Sequence, residues 1–162
     1  MSQLGRLVSV LTDPATQFTA ALATNAALTL NMTPGGGLGK VDGGLASPSV
    51  QCRIKGITIA SAEALDWEVW FWRSDAFNVS ATDPSLDLFA GRHKFTASTD
   101  GLRIAGAGLY YYAVNNLDIP YVDVDGTGEM HLMLINRSVA SKTAGANGAV
   151  QVGLLCDPSL SW

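Results

Sequence analysis

Hydrophobic and polar positions along the chain alternate with a period of two over short stretches, and turn-forming clusters separate these stretches. Between Glu129 and Ser138, Met130, Leu132 and Leu134 fall on one face of an extended strand, and His131, Met133 and Ile135 on the other. Both faces are mostly apolar. The pattern predicts a central strand covered by a second sheet on one side and by a long loop, an arm or another subunit on the other. Val150, Val152, Leu154 and Cys156 follow on one face of a further strand, through a turn at Gly145–Gly148, and the two segments predict a hairpin-like C-terminal half. Upstream, Val50, Cys52 and Ile54 alternate with Gln51, Arg53 and Lys55, and the strand continues through Ile57–Ala60. Leu65, Trp67, Val69 and Phe71 form one face of the next strand. Glu68, Trp70 and Trp72 form its other face, so two tryptophans leave the core side.

The remaining segments are weaker. Leu4, Leu7, Val8 and Leu11 have a spacing that suits one or two helical turns, stopped by Asp13-Pro14. Ala26–Asn31 reads as a strand, whereas Ala20–Ala27 would suit a helix equally well. Residues 33–44 hold six glycines and a proline, and predict a flexible loop or arm. Ser74–Gly108 is rich in turn chemistry, with short strands expected around Lys94–Ala97 and Leu102–Ile104. Leu109–Val114 reads as a strand. Asn115–Tyr121 is a connection broken at Pro120, and Tyr121–Val124 leads to the Asp125-Gly126 turn. Seven to nine such segments, with almost no amphipathic helix, predict an all-β, single-domain β-sandwich or jelly roll. Its parts are an N-terminal arm over residues 1–49, with a possible first strand and an extended Gly-rich loop, and a body over residues 50–162.

Composition narrows the partners. A chain of 162 residues is long enough for one domain with its own core. Only 15% of it is charged against 48% hydrophobic, which leads us to expect surface covered by copies of itself or by a larger partner. A net charge of −4 with scattered Lys and Arg argues against nucleic acid. There is no apolar run long enough for a membrane span, and the N-terminus makes a poor signal peptide. Cytoplasmic synthesis is the expectation, with Cys52 and Cys156 as buried thiols rather than a bridge.

Few residues suggest chemistry. Gly39-Lys40 lacks the spacing of a phosphate loop, because Pro34 and Val41 stand where Gly and Ser or Thr are required. Asp118, Asp123, Asp125 and Glu129 form the densest acidic group, but Gly126 follows Asp125 too soon for a calcium loop, and Asp-Gly is a common turn between strands. His93 and His131 are the only histidines; His131 reads as a hydrogen-bonded core or interface residue. No nucleophile elbow is present. The expectation is a protein that is not an enzyme and has no catalytic residue, metal or cofactor. A hydrolase would need an acid and base pair such as Asp123 with His131 or Glu129.

Ile119–Ser138, Ile-Pro-Tyr-Val-Asp-Val-Asp-Gly-Thr-Gly-Glu-Met-His-Leu-Met-Leu-Ile-Asn-Arg-Ser, resembles a segment of small virion proteins of tailed bacteriophages. Lys142–Ala146 and the final aliphatic strand are similar to the same group, so the resemblance covers about the last quarter of the chain. It points to β-sandwich decoration, or cement, proteins. It implies a structural protein, often a homotrimer, bound to the major capsid protein on the outer surface of an assembled shell and found in the virion. Residues 1–60 carry no motif of that group. The interface candidates are Trp70, Trp72, Tyr111 and Trp162, with Arg73 and Arg137 as rim contacts. The alternative is a carbohydrate- or receptor-binding module of a phage tail, with the tryptophans as sugar platforms.

Overall fold

The computed structural model describes residues 8–11, 21–32, 40–41, 49–75, 88–104, 108–139, 142–143 and 150–157. In chain order the elements are β1 (Val8–Leu11), β2 (Ala21–Leu22), β3 (Ala27–Met32), β4 (Lys40–Val41), β5 (Ser49–Ser61), β6 (Trp67–Trp72) and β7 (Phe89–Phe95). There follow α1 (Ala97–Asp100), β8 (Leu102–Ile104), β9 (Leu109–Val114), β10 (Ile119–Val122), β11 (Met130–Asn136), β12 (Lys142–Thr143) and β13 (Val150–Asp157). The chain is nearly all β, with two main antiparallel sheets arranged as a sandwich. The larger has seven strands in the order β1-β13-β5-β9-β8, with β10 and β4 also paired to β5. The smaller has four, in the order β3-β11-β6-β7, and β12 with β2 forms a separate pair.

β5 is the axis of the larger sheet, and its sequence explains how. Its inward residues are Val50, Cys52 and Ile54, then Ile57 and Ile59, so the alternation changes parity midway. Opposite it, Leu155 pairs with Gly56 but Cys156 with Ile54, which leaves Lys55 as an extra residue. This β-bulge lets both halves of a long strand face one core. Gly56 permits it, because a Cβ there would stand 2.7 Å from the carbonyl oxygen of Val114.

The main core lies between the sheets. Trp67, Val69 and Phe71 of β6 and Met130, Leu132 and Leu134 of β11 meet Ile54, Ile57, Ile59, Val152 and Leu154 of the larger sheet. Two tyrosines tie the layers together. Tyr112 Oη accepts a hydrogen bond from the Leu65 N–H at 3.0 Å, and Tyr121 Oη accepts one from the His131 N–H at 3.0 Å. A second apolar cluster covers the other face of the smaller sheet, where Trp72, Met133 and Ile135 are buried with Ala27, Trp70, Leu88 and Phe89 packed on them. All seven residues of β11 are therefore buried, as its two apolar faces require.

Several expectations are corrected. β11 and β13 do not form a hairpin: they lie in different sheets, and Cys156 Sγ meets Met130 Sδ across the core at 4.0 Å. The N-terminal segment expected to be helical contributes a strand, because Val8–Leu11 pairs with β13 in the register Val8↔Cys156. The strand expected at Ala26–Asn31 is present as Ala27–Met32, and it belongs to the smaller sheet with Leu30 and Met32 in the core. Pro120 does not break the chain's pairing; it sits in β10 opposite Arg53, and β10 pairs only with β5 among the described residues. The strand expected at Lys94–Ala97 is instead the end of β7, followed by the short helix α1. Of the Gly-rich stretch only Lys40 and Val41 are described, paired with Val50 and Ser49, so its expected flexibility lies outside the described residues. Cys52 and Cys156 are free, buried thiols. A hydrogen bond with Cys156, and then burial, push the Cys52 thiol far up.

Candidate functional site

The connection from β10 to β11 carries Asp123, Asp125 and Thr127, and its course depends on two glycines. Gly126 and Gly128 have φ of 76° and 72°, a region that side chains rarely adopt. These turns fold the loop back on its own carboxylates. Asp123 Oδ1 accepts the Asp125 N–H at 3.1 Å, and Oδ2 accepts the Gly128 N–H at 2.9 Å. Asp125 Oδ1 accepts the Thr127 N–H at 3.0 Å and the Thr127 hydroxyl at 2.7 Å. From the end of β6, Asp75 donates its N–H to Asp125 Oδ2 at 2.8 Å.

His131, the second residue of β11, completes the group. Its Nε2 lies 3.1 Å from Asp125 Oδ2, 3.8 Å from Asp123 Oδ1 and 3.3 Å from Thr127 Oγ1. One donor atom from each of Asp123, Asp125 and His131 falls within 4.8 Å of the others. The side chains of His131 and Asp123 are wholly buried, and that of Asp125 is 15% exposed. Burial raises the Asp123 carboxyl to about 6, and its hydrogen bond with Asp125 adds to the shift. Burial pushes Asp125 up as well, but the hydrogen bonds from Asp123, Thr127 and Asp75 outweigh it and hold its carboxyl well below the usual range. The two neighbouring carboxyls are thus driven apart, Asp123 upward and Asp125 downward, and Asp125 Oδ2 is the oxygen nearest the imidazole.

The group has the donors of a general base or of a metal ligand set. A base must touch the proton it removes. His131 Nε2 and Asp123 are enclosed by the protein's own atoms, whereas Asp125 keeps 15% of its side chain exposed.

A second polar centre lies on the outer face of the smaller sheet. Glu68 is buried and holds three partners: Trp70 Nε1 at 2.8 Å, Arg137 Nε at 2.5 Å and Arg92 Nη1 at 3.2 Å. Arg137 also donates to Asn25 Oδ1 at 2.7 Å. Trp70 and Arg137, singled out separately as interface residues, are thus fastened to one carboxylate within the chain.

The other candidates are spread widely. Trp72 is 1% exposed and donates Nε1–H to Met133 Sδ at 3.1 Å, so it has no surface to offer a partner. Arg73 is half-buried, its Nε enclosed and without a hydrogen-bond partner, while its carbonyl accepts the Val124 N–H at 2.8 Å. Tyr111 stands exposed on β9, in the larger sheet, away from the tryptophans. Trp162 lies outside the described residues. Glu129, weighed as an alternative partner of Asp123, is outside the donor group; its N–H donates to Thr127 Oγ1 at 3.3 Å.

Sequence reasoning missed Glu68, Asp75 and Tyr121. A lone acid between apolar strand residues was the available signal for Glu68, while nothing local marks an amide of Asp75 or a phenol of Tyr121 as a support. Comparison of the chain with known protein families, with curated proteins and with solved structures gave no significant match.

Proposed function

We propose that this chain is a structural virion protein that binds the outside of an assembled phage capsid and stabilises the coat-protein lattice, as a homotrimer and without catalysis. The observation that carries the reading is an apolar edge. Leu102, Ile104 and Tyr111, on the neighbouring strands β8 and β9, are 66%, 42% and 36% exposed. β8 is the last strand in its sheet, and every residue of it is exposed. Its outer edge therefore offers backbone donors and acceptors beside apolar side chains, the features through which sheets add a neighbouring chain. Beside it, Tyr111, Ala113, Thr58, Gly56 and Leu155 line a shallow concavity of about 370 Å³ on the outer face of the sheet. The resemblance of residues 119–138 to small virion proteins names the partner class, and a covered, rigid body suits a subunit held by its surface.

The test is the copy number of the chain relative to coat protein in purified particles, followed by rebinding to stripped shells. Copies comparable with coat protein, and rebinding lost in Leu102→Lys/Ile104→Lys, are the expected results. A handful of copies per particle would move the protein to the tail and favour receptor binding. Absence from particles would overturn the virion reading.

A further inference from the structure

The geometry points to a buried divalent transition-metal site, of the zinc class, formed by Asp123 Oδ1, Asp125 Oδ2 and His131 Nε2. The inference is independent of the capsid reading. Its ligands come from two separate elements, the β10–β11 loop and strand β11, and they mix nitrogen with oxygen.

The lone pairs allow it. A carboxylate has about four acceptor positions. On Asp125, both positions of Oδ1 are taken by the Thr127 amide and hydroxyl, and one position of Oδ2 by the Asp75 amide. The position left on Oδ2 is the one that His131 Nε2 faces at 3.1 Å. On Asp123 each oxygen accepts one amide, and the contact with the Asp125 carboxyl uses one of the positions that remain.

The spacing allows it too. Zinc bonds of about 2.0–2.2 Å in a tetrahedron put neighbouring donors about 3.3–3.6 Å apart. The observed separations from Nε2, 3.1 Å and 3.8 Å, bracket that range, and all three donors lie within 4.8 Å of one another. Thr127 Oγ1, 3.3 Å from Nε2, or a solvent molecule takes the fourth position. Calcium fits badly, because it needs six to eight oxygen ligands and takes no imidazole.

Charge and support point the same way. Two adjacent carboxylates, one wholly buried and one partly exposed, favour positive charge beside them, and a divalent cation brings the sum to zero. The ligands are already aimed: backbone amides hold both carboxylates, and Tyr121 Oη holds the His131 backbone. An ion here would pin the β10–β11 loop to β11 and to Asp75 at the end of β6, closing one end of the sandwich.

The full chain, stripped with a chelator and dialysed, is titrated with zinc alone and followed by calorimetry and by the imidazole nitrogen resonances. With only two histidines in the chain, the two sites are separable without mutation. The expected result is one zinc per chain and a shift of His131 Nε2 at one equivalent, unchanged in His93→Gln and lost in Asp125→Asn and His131→Gln. The unmutated resonances decide the matter even where a variant fails to fold. No binding, a shift of His93 instead, retention of the site in both ligand variants, or the same response to equal calcium would each overturn the assignment.

Discussion

Tyr121 Oη, on a strand of the larger sheet, accepts the backbone N–H of His131, on a strand of the smaller one, at 3.0 Å. The bond crosses the sandwich at the point where β11 begins, beside the Asp123–Asp125–His131 group. Burial pushes the Tyr121 hydroxyl far up, so it remains a neutral phenol at any working pH.

Tyr121→Phe leaves the His131 N–H buried without that acceptor. The expected loss is about 1–3 kcal/mol, the usual penalty for stranding a buried donor. Urea unfolding checks it: the midpoint falls while the slope is unchanged.

The two outward tryptophans should differ sharply. Trp72→Ala empties a fully enclosed site and should cost about 3–5 kcal/mol. Trp70 is only half-buried, so Trp70→Ala should cost less than Trp72→Ala in the same unfolding assay. Equal losses would contradict the assignment of Trp72 alone to the enclosed cluster.

Glu68 should shape the acid limb of stability. Burial acts to raise its carboxyl, but the hydrogen bonds from Trp70 and Arg137 and the charges of Arg137 and Arg92 prevail and hold it below its ordinary value of 4.5. Such a group contributes stability that is present above its unfolded pKa and lost as pH falls through the folded value. Glu68→Gln should therefore reduce stability at neutral pH and flatten the loss seen below pH 4.5. Denaturant midpoints measured across that range test the sign.

Gly56→Ala should destabilise the fold at the bulge. The new methyl would meet Val114 O at 2.7 Å and Asn115 Cα at 3.2 Å, both backbone atoms that cannot swing aside. A loss of about 1–3 kcal/mol is expected from such overpacking. Thermal unfolding of the variant is the measurement.

What the sequence determined by itself was which face each strand turns inward. Alternation at Leu65–Phe71, Met130–Leu134 and Val150–Cys156 is a local property of extended chain, and every residue it placed inward is in the core. The all-β class followed from the same signal. The strand from Val50 through Ala60 was legible as continuous, whereas its change of inward face between Ile54 and Ile57 became clear only from the pairing with Leu155 and Cys156.

Tertiary structure decided what each strand lies beside. Period-two alternation is blind to the partner, so β11 and β13 read as a hairpin and proved to be opposite layers of the core. Val8 and Leu11 carried a helical spacing, but a free edge on β13 gave that backbone better hydrogen bonds as a strand. Trp72 was legible as leaving the core side, whereas its enclosure depends on Met133 and Phe89, distant in sequence. The acidic loop was legible as a turn from Asp125-Gly126. Its convergence on His131, with Asp75 and Tyr121 in support, needed three separate segments brought within hydrogen-bond reach, and no local pattern records a distance of that kind.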